Sequence, residues 1–485
     1  MNERNFVGFD VGNAKCVIAS IVDGKMDVVL NDESKRETPS VICFGEKQRF
    51  LGCNGAAFAS KYPKSTFSDI KNRLALDKPP VTVDGYLSQT HKFNPTELMA
   101  MMFTNLKQTA ERKLKSEVTD CVIGIPSYFK EKHRRAYLNA AKIAGLNRLR
   151  LLHDCTAAAL SYGFYKTEPA IVAFVDIGHC DTQVSIASFK SEEMSILSHS
   201  SDPSLGGRDF DDVLINHFKE DFKNKYGIDV PSDCKSYKRL KSACEKMKTV
   251  LSVNSETSFN IECFHGEMDV EGKMEREKFE HLCRELLWRI AIPCAKAAAN
   301  AGVPLSRIDS VELIGSGSRV PSISKVVHAV FNKEPSRTVS ASECVAMGCA
   351  LQCRMLNSSN LGRKYAVKDI FPYSISVSSI GEVFGRKQHL PITKDLTFKE
   401  MCPFSLHIMY GNPADQEKVK TITVKVEDSK ASKAGETSFD LKFELDLNGI
   451  VNVCPNVSME DGNNDENLPM DPKSLAPLTS NDGSS

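Results

Sequence analysis

The chain has 485 residues, room for about three domains of ordinary size, and its 62 Lys plus Arg balance 62 Asp plus Glu. That neutrality gives no global field to attract nucleic acid or an anionic membrane, so neither is expected as a partner and recognition must rest on local sites. Sixteen cysteines occur without a Cys-x-x-Cys pair, which reads as small reduced thiols and predicts a cytosolic or nuclear protein.

The start, "MNERNFVGFDVGNAKCVIASIVDG", runs straight into short apolar stretches, and no signal peptide is visible in it. No apolar run approaches the roughly 20 residues a membrane span needs. "FVGFDVGNAKCVIASIV" predicts a strand, an Asp-x-Gly turn and a second strand. "PTELMAMMFTNLKQTAERKL" places Leu98, Met102, Leu106 and Ala110 on one helical stripe, and "KEKHRRAYLNAAKIAGL" repeats the pattern and stops at Gly145. "IVAFVDIGHCDTQVSIASF" then copies the first hairpin, with Asp176-Ile177-Gly178 answering to Asp10-Val11-Gly12. Helices are predicted for "DFDDVLINHFKEDFKNKYG" and "SYKRLKSACEKMKTVLS", and one long helix for "KFEHLCRELLWRIAIPCAKAAANAG", ending at Gly302. Strands alternating with helices make the class α/β, and the repeated hairpin implies an internal duplication. In "VELIGSGSRVP" a strand ends in Gly315-Ser316-Gly317-Ser318-Arg319, and a helix follows Pro321.

Near the C-terminus, "FDLKFELDLNGIVNV" alternates strictly. It places Phe439, Leu441, Phe443, Leu445 and Leu447 on one face and closes a two-residue turn at Asn448-Gly449. The tail "SMEDGNNDENLPMDPKSLAPLTSNDGSS" is acidic, rich in Pro, Ser and Asn and nearly free of aromatics, the composition of a disordered segment.

The chemistry is expected at the three glycine turns. An acid placed where a strand meets a turn, with backbone N–H groups beside it, suits a metal-bound phosphate. Small residues before a helix let the backbone approach a flat or phosphorylated ligand. A single Gly-Ser turn is more often a plain helix cap; two Asp-x-Gly hairpins and this turn in order are a specific combination.

Together "VGFDVGN", "NDESKRETPSVICF", "CVIGIPSYF", "RLLHDCTAAALSYG", "VDIGHCDTQVSIASF", "SLGGRDFDD", "CEKMKTVLS" and "IGSGSRVP" resemble the seventy-kilodalton heat-shock superfamily. They are most similar to its divergent one-hundred-ten-kilodalton branch, in a plant-like version. The resemblance covers roughly residues 5–454. It implies an actin-like ATPase fold of two duplicated lobes, followed by a smaller β-sandwich-like domain and a disordered tail. The implied nucleotide-binding domain is 1–364, with lobe I about 1–170, lobe II about 171–364 and a shortened outer subdomain near 72–97. A linker would occupy 365–372, a substrate-binding-like β-domain 373–454 and the tail 455–485, with no helical lid.

Carried over by position, the resemblance implies ATP or ADP with magnesium. Asp10 and Asp176 would face the metal through water, and Gly12, Asn13, Ala14, Gly178 and His179 would line the phosphates, with Gly206 and Gly207 as a further phosphate turn. Lys71 would help place the attacking water; by spacing alone it is a solvated helix lysine. Glu245, Lys248, Ser252, Gly315, Ser316 and Arg319 would form the adenosine pocket, although Glu245 and Lys248 are also ordinary helix-surface charges. Asp154 replaces a glutamate, and Gln183 replaces the family's second acid. Thr249 stands where an arginine usually packs on the adenine, and Ser342 replaces an acid at the adenosine end. Because an amide accepts no proton, hydrolysis is expected to be slow. The implied partners are an ordinary seventy-kilodalton chaperone and unfolded polypeptide clients, for exchange and holding. A small-molecule kinase or a filament former on the same fold is the alternative, and a C-terminal β-domain argues against both.

Overall fold

The computed structural model describes residues 6–22, 24–231, 234–357, 365–400, 404–411, 417–424, 437–455 and 459–461. They fall into two compact units: one of residues 1–167, 189–198 and 343–485, the other of 168–188 and 199–342.

The first unit is built on a mixed sheet. Strands Arg148–His153, Asp120–Ile125 and Phe6–Val11 run parallel, and Lys15–Val22 and Lys25–Val28 continue antiparallel. Phe6–Val11 and Asp120–Ile125 are apolar along nearly their whole length because both faces are covered. Helix Pro95–Leu114 opens on a reciprocal capping box between Asn94 and Glu97 and buries Leu98, Met102, Leu106 and Ala110. Helix Cys344–Asn357 lies against strand Phe6–Val11 and helix Asp154–Gly163 at backbone contact: a Cβ on Gly8 would overlap the main chain at Ala346 and Ala350, and one on Gly348 would overlap Ala157.

A β-sandwich belongs to the same unit. Its larger sheet runs Gly381–Phe384, Ile375–Val377, Phe404–Tyr410, Glu417–Val424, Met459–Asp461, and its smaller one Ile392–Glu400, Thr437–Leu445, Val451–Pro455. Leu441, Phe443 and Leu445 enter its core. Leu447 does not: it is 37% exposed, and the side chain of Phe439 lies outside the described residues. The turn is longer than the two residues expected. Asp446 N donates to Ile450 O at 3.0 Å and Gly449 N to Asp446 O at 3.0 Å, which leaves three residues in the loop with Gly449 at φ 73°, the left-handed position such loops require. Of the tail read as disordered, Met459–Asp461 pairs as an edge strand with Ile422–Val424, its backbone satisfied by the neighbouring ladder whatever its composition; residues 462–485 lie outside the described set.

In the second unit, strands Pro335–Ser336, Ser310–Ile314, Ala170–Ile177 and Thr182–Lys190 are neighbours in that order. The long helix expected over 278–302 is two: Arg276–Leu282 and Arg284–Asn300. Cys283, at φ −86° and ψ 7°, breaks it, a bridge-region conformation that apolar periodicity does not reveal. A one-turn 3-10 helix, Ser316–Arg319, precedes helix Pro321–Phe331. Among the described residues every cysteine is a free thiol, and no helix is long and apolar enough to cross a membrane.

Candidate functional site: two glycine hairpins

In the first unit the hairpin turn is tied by Gly12 N donating to Lys15 O at 3.1 Å. Asp10, at the end of the strand, is half-buried beside it, and Ala14 is exposed. Asn13 is buried, and its Oδ1 accepts from Asn72 N at 2.6 Å, fastening the turn to helix Ile70–Ala75. Lys71 on that helix is not solvated. It is 4% exposed, and its ammonium lies 3.0 Å from the carboxylate of Asp154, the first residue of helix Asp154–Gly163. Burial, and then the charge of Asp10, push the Cys16 thiol up to about 12, so this cysteine stays a neutral packing group.

In the second unit the copy of that turn is tied by Gly178 N donating to Asp181 O at 2.9 Å. The segment Leu205–Gly207 closes on it: Gly207 N donates to Gly178 O at 2.8 Å and Arg208 N to His179 O at 2.9 Å. A Cβ on Gly206 would stand 2.6 Å from the backbone of His179 and Cys180. Gly206 N is capped by the carboxylate of Asp209 at 2.7 Å. Gly315 has φ 76°, and a Cβ there would overlap Ile177 O and the carboxylate of Asp176, so glycine is required on both counts. In each unit a tight glycine turn thus stands beside a half-buried acid, and a carboxylate oxygen next to close-packed backbone suits a hard cation and phosphate.

The residues expected at the adenosine end divide. Lys248 donates to Gly207 O and to the carboxylate of Asp211, each at 2.6 Å, so it braces the phosphate turn. Burial raises the Asp211 carboxyl, and Lys248 opposes that rise. Glu245 and Ser252 lie half-buried on and just after the same helix, and Ser316 and Arg319 are exposed on the 3-10 turn. Gly315 N donates to Ala341 O at 2.9 Å, and Arg337 to Ser318 O at 2.7 Å, holding that turn from behind.

Sequence reasoning passed over two features. The first is Asp181, buried, whose carboxylate accepts from the Gln183 side-chain amide at 3.2 Å; it stands in the quoted turn, and its acidity was the available signal. The second is the seat of the β-sandwich on the first unit's sheet edge. Arg134, fully buried, donates to Phe129 O at 2.8 Å and to Asn448 O at 2.9 Å, with His153 Nε2 at 2.8 Å. His153 Nδ1 in turn lies 3.0 Å from the carboxylate of Asp369. Glu131 N donates to the Tyr410 hydroxyl at 2.6 Å, Val451 N to the Glu131 carboxylate at 3.1 Å, Leu151 N to Asn448 Oδ1 at 3.0 Å, and the Tyr373 hydroxyl to Tyr128 O at 2.7 Å. Within the expected linker, Ala366–Lys368 pairs as a parallel strand with Glu193–Ser195, and Asp369, Ile370 and Phe371 are buried.

A duplicated Asp-x-Gly hairpin on α/β units, with a third glycine turn and a β-sandwich following in the chain, defines an actin-like fold carrying an appended β-domain. The chain belongs to the Hsp70 family: the family model described as Hsp70 protein matches residues 6–476. It is 48% identical over 443 residues to heat shock 70 kDa protein 16 of Arabidopsis thaliana, covering 84% of this chain and 58% of that one. To heat shock 70 kDa protein 14 of the same plant it is 43% identical, with 92% and 59% covered. To the 97 kDa heat shock protein of Strongylocentrotus purpuratus it is 37% identical, with 96% and 58% covered. The chain therefore spans under three fifths of the length of these relatives.

Proposed function

We propose that this chain binds ATP and ADP with magnesium and hydrolyses ATP slowly. It works as a chaperone or co-chaperone of the heat-shock 70/110 type, promoting ADP release from an ordinary seventy-kilodalton chaperone and holding unfolded polypeptide clients in the cytosol or nucleus. Members of the Hsp70 family bind ATP and ADP. The observation that carries the reading is the union, in one chain, of two Asp-x-Gly hairpin turns with their acids and a β-sandwich seated within the first unit through Arg134, Glu131 and Asn448. A small-molecule kinase has no use for such a seat.

In the first unit Asp10 would hold metal-bound water, Gly12, Asn13 and Ala14 would meet phosphate, and the buried Lys71–Asp154 pair would orient the attacking water. In the second unit Asp176 would hold metal-bound water, and Gly178, His179, Gly206 and Gly207 would meet phosphate. Glu245, Lys248, Ser252, Gly315, Ser316 and Arg319 would border the nucleoside. Magnesium, when bound, would neutralise phosphate charge. Gln183 can orient a water but cannot take its proton, and a missing base costs about 10²–10⁴-fold in rate, the reason for expecting slow turnover.

The test is release of labelled ADP from a seventy-kilodalton chaperone, with and without this chain, alongside the chain's own ATP turnover and a sugar-phosphorylation control. Faster ADP release with slow intrinsic turnover is expected. Phosphorylated sugar, or no effect on release together with no ATP binding, would overturn the reading.

A further inference from the structure

The chain's single tryptophan, Trp288, is 72% exposed. It lies on helix Arg284–Asn300, where Glu285, Trp288, Ile292, Ala295, Lys296 and Ala299 fall within about 100° of arc at 3.6 residues per turn, and Ile292 is 39% exposed. The stripe runs on into an apolar pocket of about 490 Å³ formed by Ala295, Ala298, Ala299 and Gly302 on one side and Leu305 and Val330 on the other. One helix face thus carries a large aromatic knob and, about two turns further on, a hole floored by alanine and glycine.

We propose that this face pairs with the same face of a second copy of the chain, the two helices crossing antiparallel with their centre near Ile292. A two-fold interface must be self-complementary, and this one is. With the centre near Ile292, Trp288 of each copy meets Ala295 of the other and its indole enters the partner's pocket. The charges suit nearly the same register: with Trp288 opposite Ala295, Glu285 stands two residues, about 3 Å along the axis, from Lys296 of the other copy, within reach of the lysine side chain. Glu285 and Lys296 flank the stripe eleven residues apart, neither enters an ion pair among the described residues, and antiparallel pairing brings Glu285 of each copy to Lys296 of the other. Arg289 is already held by Asp202 at 2.8 Å, so it leaves the contact to those two. Small residues at the crossing let the helix axes approach closely, and a tryptophan seated in a desolvated pocket is the usual energetic centre of such a contact. A face one helix wide buries less than the roughly 800 Å² per partner of standard interfaces, so the dimer is weak and depends on concentration.

Because Trp288 is the only tryptophan, its fluorescence reports the contact directly. The full-length chain is diluted from about 100 to about 1 μM, with emission and sedimentation velocity recorded together. A blue-shifted emission that reddens on dilution, in step with dissociation of a dimer, is expected. Trp288→Ala should weaken dimerisation more than about 100-fold, and Ala299→Arg, which fills the hole but keeps the reporter, should fix the emission at its red position. Glu285→Lys and Lys296→Glu should each weaken the dimer several-fold, and the double exchange should restore it. Monomer at every concentration overturns the proposal, as does a dimer indifferent to Trp288→Ala or a double exchange that fails to rescue. Unchanged melting temperatures for these surface variants exclude misfolding as the cause.

Discussion

At Gln183 the side-chain amide already donates to Asp181, 3.2 Å away, so a carboxylate introduced there would meet another. An aspartate there is one methylene shorter, so the two carboxylates would stand somewhat further apart, still close enough for their charges to repel. Gln183→Asp alone is therefore expected to change single-turnover ATP cleavage by less than about threefold, whereas Asp181→Thr combined with Gln183→Asp should raise it by about tenfold or more. Full recovery in the single variant would show that Asp181 does not govern the position. Lys71 and Asp154 make the second case. Both are 4% exposed, and removing one partner of a buried ion pair costs about 3–5 kcal/mol. Lys71→Ala should lower the melting temperature of the first unit clearly, and Lys71→Ala with Asp154→Ala should lower it less; equal losses would refute a direct pairing. The sequence showed which residues these were but not their surroundings. Lys71 sits in an ordinary charged helix, and its partner is 83 positions away, beyond any periodic signal. The acids and glycines of the hairpins were readable because their geometry is local: a strand end, a tight turn, a required missing Cβ.

The elements were legible where a repeat of 2 or 3.6 persisted and illegible where one residue's backbone or a distant partner decided. Helix Pro95–Leu114 announced itself by its stripe. The break at Cys283 did not, because the apolar pattern continues through it from Phe279 to Ile290, both buried. The seat of the β-sandwich was invisible for another reason: Arg134 and Asn448 are 314 positions apart, and neither looks unusual in its own segment. That seat makes a prediction at this scale. Asn448→Ala removes the acceptor for Leu151 N, and an unmet buried donor costs about 1–3 kcal/mol. The sandwich should therefore leave its seat more often, and tryptic cleavage after Lys368, beside the buried Asp369–Phe371 segment, should accelerate about 5- to 150-fold. An unchanged cleavage rate would mean the linker opens independently of the seat.

For the whole molecule, each unit carries its own hairpin acid and glycine turn, and ligand that binds only folded protein stabilises it by about 2.7 kcal/mol at 100 times Kd. Magnesium with ATP is expected to raise the thermal transition of the full chain, and chelation of magnesium or Asp10→Asn to remove most of that gain. No shift at millimolar ATP would contradict nucleotide binding. At this scale the repeated hairpin revealed the duplication. The assembly of the first unit from three separated stretches of chain could not be read, because it rests on close packing at Gly8 and Gly348 rather than on any pattern. That packing has a consequence for how the protein is made. Ala350, whose backbone closes over Gly8, lies 342 positions after it. At about 5–20 residues per second on the ribosome, the first strand waits roughly 17–70 s for its covering helix, whereas the whole second unit has emerged before then. The N-terminal strands are thus born with an open apolar flank, and during synthesis a chain of this family needs the kind of protection it is proposed to give to others.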